Sequence, residues 1–471
     1  MKEKIFLLFI FFTSFSYSQK QGNVWYFGIN AGLDFNSSPP TPLLDGQTYP
    51  FPYGWNEGCS SISDSSGNLL FYTNGMKVWD KNQQLMPNGD NLMGNASSTQ
   101  SSIIVPQPGS SQFFYVFTTD ALENNFANGL RYSIVDMCLN DTYGDITSRK
   151  NILLIDTVSE RLVCVRHSNN NDYWIVTHKF NSDAFYSFKL TNTGITDTII
   201  SHTGTIDNLG WGQTVISNDA SKIAITAPSG IDGFLLLLNF DAATGIVSNE
   251  QILSIGSRGY GLSFSPDNSK LYCSSTGIGE VYQYNLNAGN LSSIIASKTY
   301  LVQNAPDGYK QQKLGPDGKI YISKAGKQYL SVIELSDSLY PICNYIDSAI
   351  YLGGQYTSFG LPNFIAAYSY SNNSSACLAL TDKTLTHETL SALTVYPNPF
   401  KHTTTIQSLE VLQNATLTIF NSLGQITQQK QNIFGQSISI ARGDLLDGMY
   451  FFTLQNRNTI FSGKFLIAAE Y

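Results

Sequence analysis

The sequence predicts an all-β chain: a seven-bladed β-propeller closed by its own termini, followed by a small Ig-like β-sandwich. Three observations predict it. Charged residues are 13% of the chain, against roughly one in four in an ordinary globular domain, while 28 Phe and 27 Tyr suit many short, half-buried strands. A strand, turn and strand phrase recurs, its aspartates Asp219, Asp267 and Asp317 standing 48 and then 50 residues apart, a period within the range of propeller blades. The stretch 391–471 then changes to short alternating runs broken by Asn421, Gly424, Gly435, Gly443 and Gly448, the pattern of a small separate β module.

Taken in order, Met1-Lys2-Glu3-Lys4 gives a basic start, 5–12 an apolar run, and Ser16 and Ser18 the small residues that precede a cleavage site. This is the pattern of a signal peptide over 1–18, cleaved after Ser18. The apolar run is too short for a bilayer span, which needs about 20 residues, and no later segment is apolar enough for one, so no transmembrane segment is expected. The stretch 19–370 exceeds one ordinary sandwich and suits a propeller, which grows by repeating blades.

Three strong hairpins run through Ser217-Asn218-Asp219, Ser265-Pro266-Asp267 and Gly315-Pro316-Asp317, each followed by Lys and an apolar strand. Weaker copies start at Ser63, Pro106 and Asn169. A third apolar segment follows each hairpin, at 77–79, 130–135, 185–190, 234–240, 281–286 and 330–335. Runs such as Gln251-Ile252-Leu253 and Ser293-Ile294-Ile295 are expected as fourth strands. The remaining blade is split: 356–365 has strand character without a successor and 24–28 has none before it, so pairing them closes the ring and removes exposed sheet edges. Residues 371–390, opening on a Ser- and Asn-rich run, form the expected linker.

The tail opens Val395-Tyr396-Pro397-Asn398-Pro399-Phe400 and continues through 417–425 and 448–454 to Lys464-Phe465-Leu466-Ile467. This resembles the type A C-terminal sorting domain of the type IX secretion system, used by bacteria of the Bacteroidota phylum. On that resemblance Tyr396, Pro397, Asn398, Pro399, Gly424, Gly448, Tyr450 and Lys464 carry the sorting motifs, the secretion machinery is a partner, and the protein passes through the periplasm to the outer cell surface or beyond. The Ser-Pro-Asp hairpins resemble WD40-like, TolB-type propeller repeats. The phrases at 25–28, 32–36, 78–81, 86–89 and 360–364 resemble a family of exported Bacteroidota propellers, which implies no particular activity.

A net charge of −8 and a pI near 5.1, without any Lys/Arg cluster, argue against nucleic acid as a partner. Six cysteines at 59, 138, 164, 273, 343 and 377 are open to disulfide formation after export, and the sequence does not choose among their pairings. No CxxC occurs and His167 and His178 flank one hairpin at opposite ends, so no metal is expected. No GxSxG, HExxH, P-loop or EF-hand loop is present. The stretch from Ser61 misplaces the Asp and Gly of a sialidase-type box. No cofactor is expected, and the chain is expected as a monomer.

Candidate site residues come from blade geometry, because inner-strand starts and second-strand ends meet at one mouth of the channel. The starts offer Glu57, Gln100, Glu160, Gln213, Arg258 and Gln311, and the ends Asn74, Asp120, His178, Ser275 and Lys324. Trp55, Trp211 and Tyr260, with Tyr53, Tyr309 and Tyr356, supply flat rings for stacking on a glycan or protein. The expected function is a secreted or surface-displayed binding module. The alternatives are an extracellular enzyme acting on polysaccharide, with His178 and Glu160 or Glu57 as acid and base, and a structural envelope component.

Overall fold

A computed structural model describes residues 20–48, 56–229, 233–256, 258–277, 279–306, 308–366, 393–421, 425–456 and 459–468. The expected signal peptide, the linker, Tyr53, Trp55, Cys377 and Gly424 lie outside them. The chain divides into two compact units, one up to Cys377 and one from Leu378.

In the first unit the described strands form antiparallel sheets in chain order. The first holds Val24–Phe27, Ala31–Asp34 and Thr41–Leu43, and the second Ser60–Ser63, Leu69–Thr73 and Val78–Asp80. The third runs from Ser102–Pro106 through Phe113–Thr119 to Leu130–Asp136, which both Asp145–Ile146 and Ile152–Ile155 flank. The fourth contains Leu162–Arg166, Tyr173–His178, Ser182–Thr191 and Gly194–Asp207, and the fifth Thr214–Ile216, Lys222–Ala227, Phe234–Asp241 and Ile246–Ile255. The sixth contains Gly259–Phe264, Lys270–Ser275, Val281–Asn285 and Thr299–Val302, and the seventh Tyr309–Leu314, Ile320–Lys324, Tyr329–Ile333 and Tyr345–Tyr351.

The recurring hairpins form for a local reason. In each of the three strong copies the residue after the aspartate has positive φ, Ala220 at 58°, Asn268 at 61° and Gly318 at 78°. The aspartate accepts from the backbone two residues on, Ser221 N, Ser269 N and Lys319 N. Such Asx-type bonding fixes a tight turn without help from the rest of the fold.

Backbone hydrogen bonds join the inner-strand starts from sheet to sheet. Glu57 N donates to Ala96 O, Gln100 N to Glu160 O, Glu160 N to Gly210 O, Gln213 N to Tyr260 O, and Gln311 N to Phe359 O. Gly360 N then returns to Asn56 O. The sheets therefore radiate from a common axis, the arrangement of a β-propeller, and buried clusters fill the wedges between neighbours. One such cluster joins Val163, Val165 and Trp174 of the fourth sheet to Ile223, Leu236 and Leu238 of the fifth.

Two elements differ from expectation. Leu291–Ala296 is an α-helix, and the fourth strand there is Thr299–Val302. Asn290 caps the helix, its Oδ1 accepting from Ser293 N at 2.9 Å, and the cap overrides the strand character of the Ile pair. Residues 356–366 form no regular strand either. They bridge Ile29, then Cys59, then Val165, changing partner from sheet to sheet. Close approach is essential at Gly360, where a Cβ would lie 1.1 Å from Glu57 O.

The cysteines also settle differently from a disulfide framework. Cys59, Cys164, Cys273 and Cys343 are free and buried, and Cys138 is disulfide-bonded. The four free thiols act as small apolar groups in the wedges.

In the second unit Leu393–Tyr396, Thr403–Phe420, Ile426–Ala441, Gly448–Asn456 and Thr459–Ile467 form one sheet. The long strand Thr403–Phe420 pairs on one edge with Leu393–Tyr396 through its first part and with Gly448–Asn456 through its last, and with Ile426–Ala441 along its length through several register shifts from Gln407 on. Both parts feed one core, including Ile406, Leu417, Ile438, Phe452 and Phe465.

Candidate functional site

Three of the expected mouth residues, all glutamines, are engaged in holding the ring together. Gln100 Nε2 donates to Thr214 O at 3.1 Å while its Oε1 accepts from Thr214 N at 2.9 Å. Gln213 Nε2 donates to Gln312 O at 3.0 Å, and its Oε1 accepts from Leu262 N at 2.8 Å. Gln311 donates to Thr99 O and accepts from Leu361 N. Each amide donates to a backbone carbonyl of a sheet not adjacent in sequence, so the three glutamines staple strands across the axis. Asn363 of the crossing segment adds bonds to Leu162 O at 2.8 Å and Ser102 O at 3.3 Å.

Other candidates are turn or edge groups. Asn74 Oδ1 accepts from Met76 N and Lys77 N, and Asp120 accepts from Ala121 N, Asn124 Nδ2 and Asn128 N. Ser275 Oγ accepts from Glu280 N, and Lys324 Nζ lies 2.7 Å from Asp347 Oδ1. Arg258 is exposed. Of the aromatic candidates, Tyr260 and Tyr309 are fully buried, Trp211 is half-buried with its ring 6.2 Å from Tyr260, and Tyr356 is exposed. A broad exposed aromatic face does not assemble there among the described residues, because Tyr309 turns into a wedge and buried Tyr260 turns to Glu57 with Trp211 and Phe359 beside it.

His178 does not take Glu160 or Glu57 as its hydrogen-bonding partner. Its Nδ1 lies 3.4 Å from Asp207 Oδ2, its ring stacks on Phe185 at 4.2 Å, and it is buried. Asp207 is in turn ion-paired to buried Arg161, whose guanidinium also donates to Thr226 O and Trp211 O. Burial opposes ionisation of Asp207, but the Arg161 guanidinium and the His178 contact outweigh it and hold the carboxyl well below the usual range. Sequence reasoning misses Arg161 and Asp207. Arg161 directly follows a strand start, but Asp207 ends an outermost strand, where the blade rule does not look.

Glu160 is fixed by Thr99 N at 2.9 Å, Thr99 Oγ1 at 2.7 Å and Leu122 N at 3.0 Å. Burial still pushes its pKa up to about 7, against those three donors. Glu57 is half-buried and accepts from Tyr260 OH at 2.5 Å. Burial first, then the charge of Glu160, raise Glu57 to about 8, with Tyr260 and the Lys310 ammonium opposing. This end of the axis thus holds a carboxyl able to keep a proton at neutral pH.

The sizeable cavity found among the described residues lies toward the other ends of the inner strands. It measures about 320 Å³. Gln100 and Gln213 line it on the axis, Trp25, Ile216, Phe264 and Phe364 among others form apolar walls, and Asn218 and Pro316 belong to the hairpins at its rim. A second space of only about 10 Å³, bounded by Gln100, Gln213 and Gln311, lies at the axis itself. That is about the room of one water molecule.

In the second unit the first and last motifs meet. Asn398 Oδ1 accepts from Leu466 N at 2.8 Å, its Nδ2 donates to Lys464 O at 3.3 Å, and buried Phe400 donates from its backbone N to Leu466 O. Tyr450 stacks on Phe465 at 5.7 Å and its hydroxyl donates to Leu446 O. Gly448 has φ of 145°, a conformation that side-chain-bearing residues avoid. On the outer face, Met449 stands opposite Leu466 and Phe451 opposite Lys464, and the three apolar members are 46%, 39% and 45% exposed in the order Met449, Leu466, Phe451.

Residues 394–468 match the family model described as the secretion system C-terminal sorting domain. This tail addresses the chain for export by the type IX system to the cell surface or the extracellular space, and it implies contact with the secretion machinery. No helix among the described residues is long and apolar enough to cross a membrane. No curated protein matches the chain. Among solved structures, Kuenenia stuttgartiensis hydrazine synthase is similar at 12% identity and a TM-score of 0.39, over 76% of this chain and 93% of that one. A functionally unknown protein from Desulfotomaculum acetoxidans DSM 771 is similar at 14% and 0.40, over 70% and 94%. A putative 6-phosphogluconolactonase from Bacteroides uniformis ATCC 8492 is similar at 13% and 0.35, over 79% and 94%.

Proposed function

We propose that this chain is an extracellular binding module: a seven-bladed propeller, delivered by its Ig-like sorting tail, that takes its ligand in the cavity at the ends of the inner strands. The seventh blade in this scheme is the sheet of Val24–Phe27, with 356–361 as its innermost, irregular member, which is why the two meet at the Ile29 to Tyr356 bridge. The observation that carries the function is the contrast between the two ends of the axis. At one end the polar groups are mostly spent on backbone staples and ion pairs. At the other an apolar-walled space of about 320 Å³ is left, of the size small-molecule and side-chain sites use.

The test is a screen of the full mature chain against a glycan array, extracellular proteins and a small-molecule panel, read beside a polysaccharide hydrolase panel. Saturable binding that Ile216→Trp, which fills the cavity, abolishes supports the module. Silence in every binding arm overturns it in favour of a structural envelope component.

One observation favours an enzyme as the second reading: Glu57 is half-buried beside Glu160 with its pKa raised to about 8, which suits a general acid. In that reading Glu57→Gln abolishes turnover of a polysaccharide found in the hydrolase arm, while His178→Gln leaves it within severalfold.

A further inference from the structure

The cavity wall combines three features that together define a ligand class. Among the described residues that line it, Lys313 is the only ionisable one, and none is Asp or Glu. The Lys313 amine lies 5.2 Å from the centre of the Phe364 ring, and burial lowers its pKa to about 8. The remaining wall is apolar and aromatic, including Trp25, Ile104, Val163 and Phe264.

We infer that the cavity binds a compact organic monocarboxylate, its carboxylate paired with the Lys313 ammonium and its apolar body packed between Trp25, Phe264 and Phe364. This rests on the binding-module proposal and names its ligand class. A phosphate ester fits the wall poorly. It carries up to two negative charges against a single lysine, and no arginine lines the space to grip it in the bidentate manner that phosphate sites favour. A neutral sugar would leave the ammonium unpaired and set hydroxyls against aromatic and aliphatic walls.

The experiment uses the full mature chain at pH 7, with 3-phenylpropionate as probe and 3-phenylpropionamide as its uncharged isostere, by calorimetry and by ligand-dependent thermal shift. The acid is expected to bind wild type at least about tenfold more tightly than the amide, a difference in the range of one charge-assisted hydrogen bond. Lys313→Met, which keeps the stem and removes the charge, is expected to abolish the preference, and Lys313→Arg to retain it. Circular dichroism confirms that each variant is folded, and relief of a buried lysine makes Lys313→Met no less stable than wild type. Equal binding of acid and amide overturns the carboxylate assignment while leaving the cavity as a binding site. Absence of binding by either probe at millimolar concentration, or a preference that survives in Lys313→Met, also overturns it. The module proposal falls separately, only if the wider ligand screen is silent.

Discussion

Burial raises the pKa values of Glu57 and Glu160 above those of ordinary carboxylates, which links stability to pH. Both pKa values are raised in the folded chain, to about 8 and about 7, so below about pH 4.5 the groups are protonated folded and unfolded alike. As pH rises from there toward 8 the unfolded chain releases protons that the folded chain holds, and stability falls; above about 8 the loss is complete. Glu57→Gln, which retains an acceptor for Tyr260, should therefore gain about 1–3 kcal/mol over wild type between pH 5 and pH 8.5. Urea unfolding at both values measures this. Curves that differ by the same amount at both would show that the two carboxyls are not desolvated as described. Asp207, buried like Glu160, shows the opposite outcome, because Arg161 is ion-paired to it directly.

At the scale of the element, the segment 356–366 has a larger role than a closing strand. It receives the ring at Phe359 and Gly360, then crosses the axis to the third and fourth sheets through Asn363. Asn363→Ala leaves Ser102 O and Leu162 O without that donor in a buried place, and should cost about 1–3 kcal/mol. A smaller loss in urea unfolding would mean that water replaces the amide, for which the small neighbouring space has room. In the tail, the strands Gly448–Asn456 and Thr459–Ile467 present Met449, Phe451 and Leu466 outward. Their core-facing neighbours Tyr450, Phe452 and Phe465 hold the fold. Phe451→Asp should thus leave the melting temperature within a few degrees and reduce export severalfold, as scored by surface labelling.

For the molecule as a whole, address and task belong to separate units. The sorting tail has its own core, and the propeller has its own ring of backbone bonds. Removal of 391–471 should trap a folded, ligand-competent propeller in the periplasm. Normal surface delivery without those residues would contradict the role of the tail, and an unfolded remainder would show that the units are not independent.

Much of the fold was legible because its determinants are local. The Asp and positive-φ pairs at Asp219 and Ala220, Asp267 and Asn268, and Asp317 and Gly318 make their turns within a few residues, so the hairpins and their period stand out in the chain. The tail motifs are legible as patterns of residues in the chain, although Asn398 acts on Leu466 and Lys464 at the far end of the unit. The helix at Leu291–Ala296 was missed because a single Asn cap decided between two conformations open to the same Ile pair.

The sites are a different matter. By itself the sequence determined the all-β character, the repeated hairpins and the export tail, because alternation and turn chemistry act between near neighbours. Only the tertiary structure decided that Gln100, Gln213 and Gln311 staple the axis, that His178 faces Asp207, and that Lys313 stands in a cavity with no Asp or Glu among its described lining residues. Those contacts join residues tens to hundreds of positions apart, and their energies depend on burial, which exists only once the sheets have closed around the axis.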